Sequence, residues 1–280
     1  MSFALGPPPL PIEVLTPEEF AWISTFLRRI SGIELKPGKE SLVMGRLDRR
    51  LRLHELTTYT EYFQLIGGDK APAETQMAID LLTTNETYFF REEQHFTQLP
   101  DLLPDEKETR GRPVRIWSAA SSSGEEAYTI ALTMAECAPD RIWQVVGTDI
   151  STRVLETARR CLYPIEAAGK IPEQTLRAHC LRGRGNHVGM FTLRPELRQK
   201  VSFLQANLTK PLPDLGLFDV IFLRNVMIYF SQETKAELLK RVCSVLQPGG
   251  HLLIGHAESL QGINDGLTSI APAVYRKPGD

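Results

Sequence analysis

The chain has 280 residues, 42% of them hydrophobic, and a formal net charge of −2; that allows one large domain or a medium and a small one, and gives no global case for nucleic-acid binding. No apolar run approaches the ~18 residues of a membrane span, and the first residues lack the basic start of a secretory signal. The four cysteines (Cys137, Cys161, Cys180, Cys243) form no CxxC pair, so a cytoplasmic protein in a reducing compartment is expected, with no direct membrane insertion.

In chain order, residues 1–13 carry Pro7, Pro8, Pro9 and Pro11 and read as a flexible arm. Helical spacing starts at Thr16, a capping residue followed by Pro17 and two acids. Phe20, Ile23, Phe26, Leu27 and Ile30 form its apolar stripe, and Gly32 follows the end. A second helix is expected from about Lys39 to His54, with Leu42, Val43, Leu47, Leu51 and Leu53 as the buried set. Between Arg28 and His54 there are eight Lys/Arg against three Asp/Glu. That basic face, with Arg46, Arg49, Arg50 and Arg52, is either simply solvated or a docking surface. Helices from Tyr59 to Ile66 and from Ala73 to Leu82 complete a small all-α unit over 14–82.

The segment Thr83-Thr-Asn-Glu-Thr-Tyr-Phe-Phe-Arg91 is aromatic-rich and starts a linker expected over 83–113. From Val114 the pattern changes to α/β. Val114 to Ala119 is a strand, Ala120 to Gly124 a loop of small residues, Glu125 to Cys137 a helix, and Trp143 to Thr148 a strand ending in Asp149. This βαβ unit brings backbone N–H groups close to a ligand, and an acid in the position of Asp149 hydrogen-bonds ribose hydroxyls. The loop has one glycine and is followed by Glu125 and Glu126, where a pyrophosphate would want positive charge. That argues against a dinucleotide and suits a positively charged nucleoside such as S-adenosylmethionine.

Residues 164–200 interrupt the alternation. Leu181 to Gly189 has turn chemistry, with short strands expected at Met190 and Val201, so an antiparallel β insertion is placed at about 181–204, as a flap or as an interaction site. Ala206-Asn207-Leu208 is another strand end. Phe218 to Leu223 reads as a buried parallel strand that delivers Arg224, Asn225 and Tyr229 to the edge where ligands bind. A helix from Gln232 to Leu246, a tight turn at Pro248 to Gly250, a strand from His251 and a closing antiparallel strand after Pro272 follow. The six histidines show no metal-ligand spacing, and no metal is expected.

These residues resemble the chemotaxis receptor methyltransferases, the CheR family, from about Thr16 to Lys277. The motifs carrying the resemblance are Thr83 to Arg91, Trp117-Ser-Ala-Ala-Ser-Ser-Ser-Gly-Glu-Glu126, Gly147-Thr-Asp-Ile150, and Arg224-Asn-Val-Met-Ile-Tyr-Phe230. The resemblance implies a Rossmann-like methyltransferase domain (114–280) behind the all-α domain, with methyl transfer from S-adenosylmethionine to receptor glutamates and S-adenosylhomocysteine as product. It implies cofactor contacts at Asn85, Thr87, Arg91, Glu126, Asp149, Asn207, Leu208, Arg224 and Asn225, with Arg91 and Tyr229 near the transferred methyl. It further implies that the insertion, through Arg182, Gly183 and Gly185, binds a C-terminal tether carried by some receptors. On this reading Arg46, Arg49 and Arg50 meet the acidic helical bundle of the receptor's cytoplasmic region. Two rivals remain: a methyltransferase acting on RNA or a small molecule, and a receptor-binding adaptor without catalysis.

Overall fold

Capping residues set the first helices. The computed structural model describes residues 11–263 and 266–279, and the chain divides into two units, residues 1–84 and 85–280. In the first unit, α1 (Pro17–Ser31) and α3 (Tyr59–Gly67) both start in capping boxes, Thr16 with Glu19 and Thr58 with Glu61. Each box satisfies two backbone N–H groups that a helix start leaves open. Between them lies α2 (Glu40–Leu53), and α4 (Pro72–Leu82) closes the unit. Val43, Leu47 and Leu51, four residues apart, are fully buried with Ile23, Leu27, Tyr59 and Tyr62. Leu53, expected in that stripe, is 63% exposed, because two positions beyond Leu51 turns a side chain away from the buried face. The Pro-rich start lies outside the described residues up to Leu10. From there Ile12 packs on the core and Glu13 N–H donates to the Thr57 carbonyl at 2.8 Å, so the arm expected to reach residue 13 ends earlier.

The second unit begins with the segment expected to be a linker. It holds α5 (Gln94–Gln98), a 3-10 turn at Leu99–Leu102 and α6 (Glu106–Thr109). Phe89 and Leu99 are fully buried in the unit's core, because rings in this number bury rather than bridge. The sheet strands are β1 (Val114–Ser118), β2 (Trp143–Asp149), β6 (Val201–Gln205), β7 (Phe218–Leu223), β8 (Leu246–Ile254), β9 (Thr268–Ala271) and β10 (Val274–Arg276), in the order β6-β2-β1-β7-β8-β10-β9. The first five run parallel, and β10 pairs antiparallel with both β8 and β9. Every residue of β7 is buried, as a central parallel strand covered on both faces requires. Helices α7 (Glu125–Cys137), α8 (Thr152–Arg160) and α11 (Gln232–Ser244) connect the strands.

Three expectations are corrected. The turn expected at Pro248–Gly250 lies within β8 and shifts its register against β7 between Phe218 and Val220; extra residues are absorbed as a bulge. The edge pair β9–β10 is a hairpin of which only the second strand was legible. The insertion is a separate sheet of β3 (Tyr163–Pro164), β5 (Met190–Leu193) and β4 (Cys180–Arg182), joined through α9 (Glu173–His179) and followed by α10 (Pro195–Arg198). It starts near 163, not 181. Val201–Gln205 belongs instead to the main sheet, where Gln205 pairs with Asp149.

Candidate functional site

Strand order reverses at β1, which lies between β2 and β7. The crevice beyond the carboxyl ends of such strands is where open α/β sheets take ligands. The loop after β1 reaches it through Gly124, whose φ is 98° and where a Cβ would stand 2.9 Å from both the Ala158 Cβ and the Tyr163 hydroxyl. Only glycine lets the backbone pass there before α7. Four non-glycine residues in the loops around this edge also adopt left-handed backbone: Phe90, Glu92, Ser122 and Asn225. Such conformations cost of order 1–3 kcal/mol each and persist where the surroundings hold them.

Asp149, at the end of β2, is 8% exposed. Its carboxylate accepts the Ser122 N–H and the Ser151 N–H, both at 2.9 Å. Ser122 Oγ donates in turn to the Asn85 carbonyl at 2.9 Å, so the motif starting at Asn85 is tied to the loop after β1. A carboxylate fixed at a strand end in this way suits ribose hydroxyls.

Arg224 follows β7 and was expected to face a ligand. Its side chain is instead completely buried. Nη1 donates to Glu126 Oε2 at 3.0 Å, Nη2 to Glu92 Oε2 at 3.0 Å and also to the Arg91 carbonyl. Its guanidinium lies 5.3 Å from the Phe96 ring. The planar fork is spent on three partners under the site wall. Glu126 Oε1 also accepts the Ser118 hydroxyl at 2.6 Å. Burial pushes the Glu126 carboxyl up, against the pull of Arg224. Burial acts upward on Glu92 too, but bonds from Asn225, Arg224 and the His256 N–H outweigh it and hold Glu92 at about 2.

Asn225 donates from Nδ2 to Glu92 Oε1 at 3.0 Å. Its backbone N–H and that of Met227 donate to Glu258 at 2.9 and 2.8 Å, and the Gly255 N–H joins them at 2.7 Å. Glu92 and Glu126 thus flank one guanidinium, and Glu258 adds a third carboxyl bonded to the Asn225 backbone, an acidic surplus that fits a ligand carrying fixed positive charge. Together with the glycine cradle and Asp149, this donor set fits S-adenosylmethionine. Glu92 and Glu258 were not singled out from sequence. The signal was there for Glu258, an acid four residues beyond a parallel strand; Glu92 stood next to a motif whose other members drew the attention.

The remaining expected residues fall as follows. Asn85, Thr87 and Arg91 are half-buried in one segment, and Arg91 Nη1 donates to the Glu86 carbonyl at 2.8 Å with its guanidinium 5.9 Å from the Tyr88 ring. Tyr229 is half-buried on the 3-10 turn Met227–Tyr229, just after Asn225. Asn207 and Leu208 follow β6, and Asn207 Oδ1 accepts from both Thr209 N–H and Thr209 hydroxyl. In the insertion, Arg182 is exposed at the end of β4, and a Cβ on Gly183 would meet the His187 carbonyl at 2.0 Å, so the turn itself demands that glycine.

The basic face of α2 is smaller than expected. Arg50 pairs with Glu74 through both Nε and Nη2, and Glu74 also accepts the Tyr62 hydroxyl at 2.6 Å and lies 3.0 Å from His54 Nε2. Arg46 donates to the Leu82 and Thr83 carbonyls at 2.9 and 3.0 Å. Arg50 ties α2 to the first turn of α4, and Arg46 ties it to the end of α4. Arg49 and Arg52 are the exposed pair.

Glu92, His95 and His256 bring ligand atoms within 4.8 Å of one another, a cluster invisible in linear spacing. The Arg224 guanidinium already donates to the same Glu92 oxygen, and a fixed cation there opposes a dication. His95 is 1% exposed, and burial, with Arg224 and His256, pulls its pKa down to about 4, so it is neutral at pH 7.

The chain matches the family described as CheR methyltransferase, SAM binding domain, over residues 85–275, and its all-alpha domain over 18–83. It is 41% identical over 263 residues to chemotaxis protein methyltransferase 2 of Pseudomonas aeruginosa, covering 93% of each chain. It is likewise 41% identical over 265 residues to the chemotaxis protein methyltransferase of Escherichia coli, covering 93% of this chain and 91% of that one. The fold and the site define an S-adenosylmethionine-dependent methyltransferase with an all-α unit ahead of its catalytic sheet. The chain belongs to the CheR family of chemotaxis methyltransferases.

Proposed function

We propose that this enzyme methylates side-chain carboxylates of glutamates on chemoreceptors, forming esters, and that Arg91, Asp149, Asn225 and Tyr229 are the residues of its site that meet the reactants. The observation that carries this reading is the convergence, at one strand-order reversal, of the anchored Asp149, the Gly124 turn and the Asn225–Tyr229 loop, in a chain of this family.

S-adenosylmethionine supplies an electrophilic methyl group on a sulfonium. A glutamate carboxylate, with an unperturbed pKa near ~4.3, is already ionised at neutral pH, so the protein needs no general base. Its task is to align the attack and exclude water. Asp149 holds the ribose. Asn85, Thr87, Asn207 and Leu208 line the cofactor, and Glu126 faces its cationic end. Arg91 orients the incoming carboxylate through its fork of donors, and Tyr229 lines the methyl path, its ring favouring positive charge. Arg224 acts indirectly, by fixing Glu126 and Glu92.

Receptor recognition is assigned to the exposed Arg49 and Arg52 of α2, facing the acidic helical bundle, and to Arg182, Gly183 and Gly185 for a receptor tether where one exists. No helix among the described residues is long and apolar enough to cross a membrane. The test is transfer of labelled methyl from S-adenosylmethionine to chemoreceptor cytoplasmic fragments, counting only base-labile label released as methanol. Incorporation without base lability would mean a different acceptor atom and would overturn the ester reading.

A further inference from the structure

We propose that Glu258 is a positioning residue of the cofactor site, holding Asn225 in its left-handed conformation by collecting backbone N–H groups from the loops after β7 and β8. The inference rests on the reading above that Asn225 meets the cofactor.

The geometry is unusual in its concentration. One carboxylate accepts the Asn225 N–H through Oε2 at 2.9 Å, the Gly255 N–H through Oε2 at 2.7 Å and the Met227 N–H through Oε1 at 2.8 Å. The backbone of Ile228 also bonds to it. Three of these four donors are in the Asn225–Ile228 stretch, where the chain leaves β7 and turns toward Tyr229. Asn225 itself has φ 57°, a conformation a non-glycine residue holds only when its surroundings insist. Gly255 is part of the same fit: a Cβ there would stand 2.6 Å from Asn225 Nδ2 and 2.9 Å from Glu258 Oε2.

Glu92 acts on the other side of the same residue. Its carboxylate can only accept, so the Asn225 amide must turn Nδ2 toward it, as the 3.0 Å bond has it. Asn225 Oδ1 is then the atom turned away from Glu92. With Glu258 fixing the backbone and Glu92 the amide, the residue presents an acceptor of fixed orientation, which suits an ammonium or amino donor on the cofactor. Charge alone does not account for Glu258: burial pushes its carboxyl up, and a glutamine would avoid that penalty but could not accept on both atoms. Two acceptor atoms facing backbone donors are what the position requires.

The experiment is a double-mutant cycle on S-adenosylhomocysteine binding, read by calorimetry with the full chain: Glu258→Gln, Asn225→Ala and the pair together. Glutamine keeps the shape but turns an NH2 group toward backbone donors. The expected result is about a tenfold loss of affinity for Glu258→Gln, the size of one lost charge-assisted bond, and a double variant no weaker than Asn225→Ala alone, because Glu258 works through Asn225. Additive losses would overturn the proposal by showing a general structural role, as would unchanged affinity in Glu258→Gln beside a weakened Asn225→Ala. Unchanged affinity in Asn225→Ala would remove the site reading itself, and the proposal with it. Should Glu258→Gln not fold, Glu258→Asp runs the same cycle, keeping the charge and losing the reach. Competition by 5′-methylthioadenosine, which lacks the amino-acid end, adds a second readout: if Oδ1 takes the ammonium, the loss in Asn225→Ala appears for S-adenosylhomocysteine and not for 5′-methylthioadenosine.

Discussion

At the scale of single residues, the site separates partly exposed polar groups from buried ones that are bonded within the protein. Arg91 and Arg224 are both arginines of motifs at the same edge, yet their surroundings differ. Arg91 is half-buried and bonded to one nearby carbonyl, whereas Arg224 is sealed beneath Phe96 with carboxylates on two sides. Arg91→Ala is therefore expected to lower kcat by roughly 10²-fold while the dissociation constant for S-adenosylhomocysteine changes far less; turnover near normal at saturating cofactor would exclude it from orienting the carboxylate. Arg224→Leu should behave otherwise. Removing one partner of a buried charge cluster costs about 3–5 kcal/mol, so the melting temperature should drop and cofactor affinity fall with it. A variant of unchanged stability that loses only affinity would contradict that account and restore Arg224 to direct contact.

At the scale of elements, α2 carries two kinds of arginine on one short helix. Arg50 belongs to a cluster with Glu74, Tyr62 and His54, and Arg46 ties α2 to the end of α4. Arg49 and Arg52 lie three residues apart on the exposed face, where charge guides encounter more than it tightens binding. Charge reversal in Arg49→Glu is expected to slow receptor methylation several-fold to about tenfold at low salt, with a weaker effect at high salt and no change in cofactor affinity; equal rates at both salt concentrations would remove the face from receptor recognition. The segment from Asn85 to Glu92 shows the same division. Its polar residues were legible as a motif, but what places them is Phe89, fully buried against Tyr163 and Phe191. Phe89→Ala should cost about 3–5 kcal/mol and loosen the whole motif, so stability and cofactor affinity should fall together in denaturation and binding measurements.

At the scale of the whole molecule, a buried carboxylate couples stability to pH. Glu74 in the helical unit is held at about 2: burial acts upward, and bonds from Arg50, Tyr62 and His54 outweigh it. Its unfolded value is near 4.5, so the stability it contributes is full above that pH and is lost as pH falls toward 2. Linkage caps this at roughly 3 kcal/mol, and solvent screening lowers it. Glu74→Gln should flatten the acid-side decline of stability in urea titrations between about pH 4.5 and 2, and an unchanged decline would show that the cluster does not hold the proton off. What the sequence determined by itself was the grammar: two units, helical spacing before strand alternation, the capping residue at Thr16, the apolar run of β7, and the strand-end positions of Asp149 and Asn225. Those follow from local rules, because periodicity, caps and turn residues act within a few positions of the chain. Tertiary structure alone decided which charges are spent and which are offered. Arg50 met a glutamate 24 residues away and Arg224 met acids 98 and 132 residues away, while Val201–Gln205 joined the main sheet by pairing with β2. Partners at such separations leave no local trace, since a side chain's burial and its hydrogen bonds are set by what the fold brings against it rather than by its neighbours in sequence.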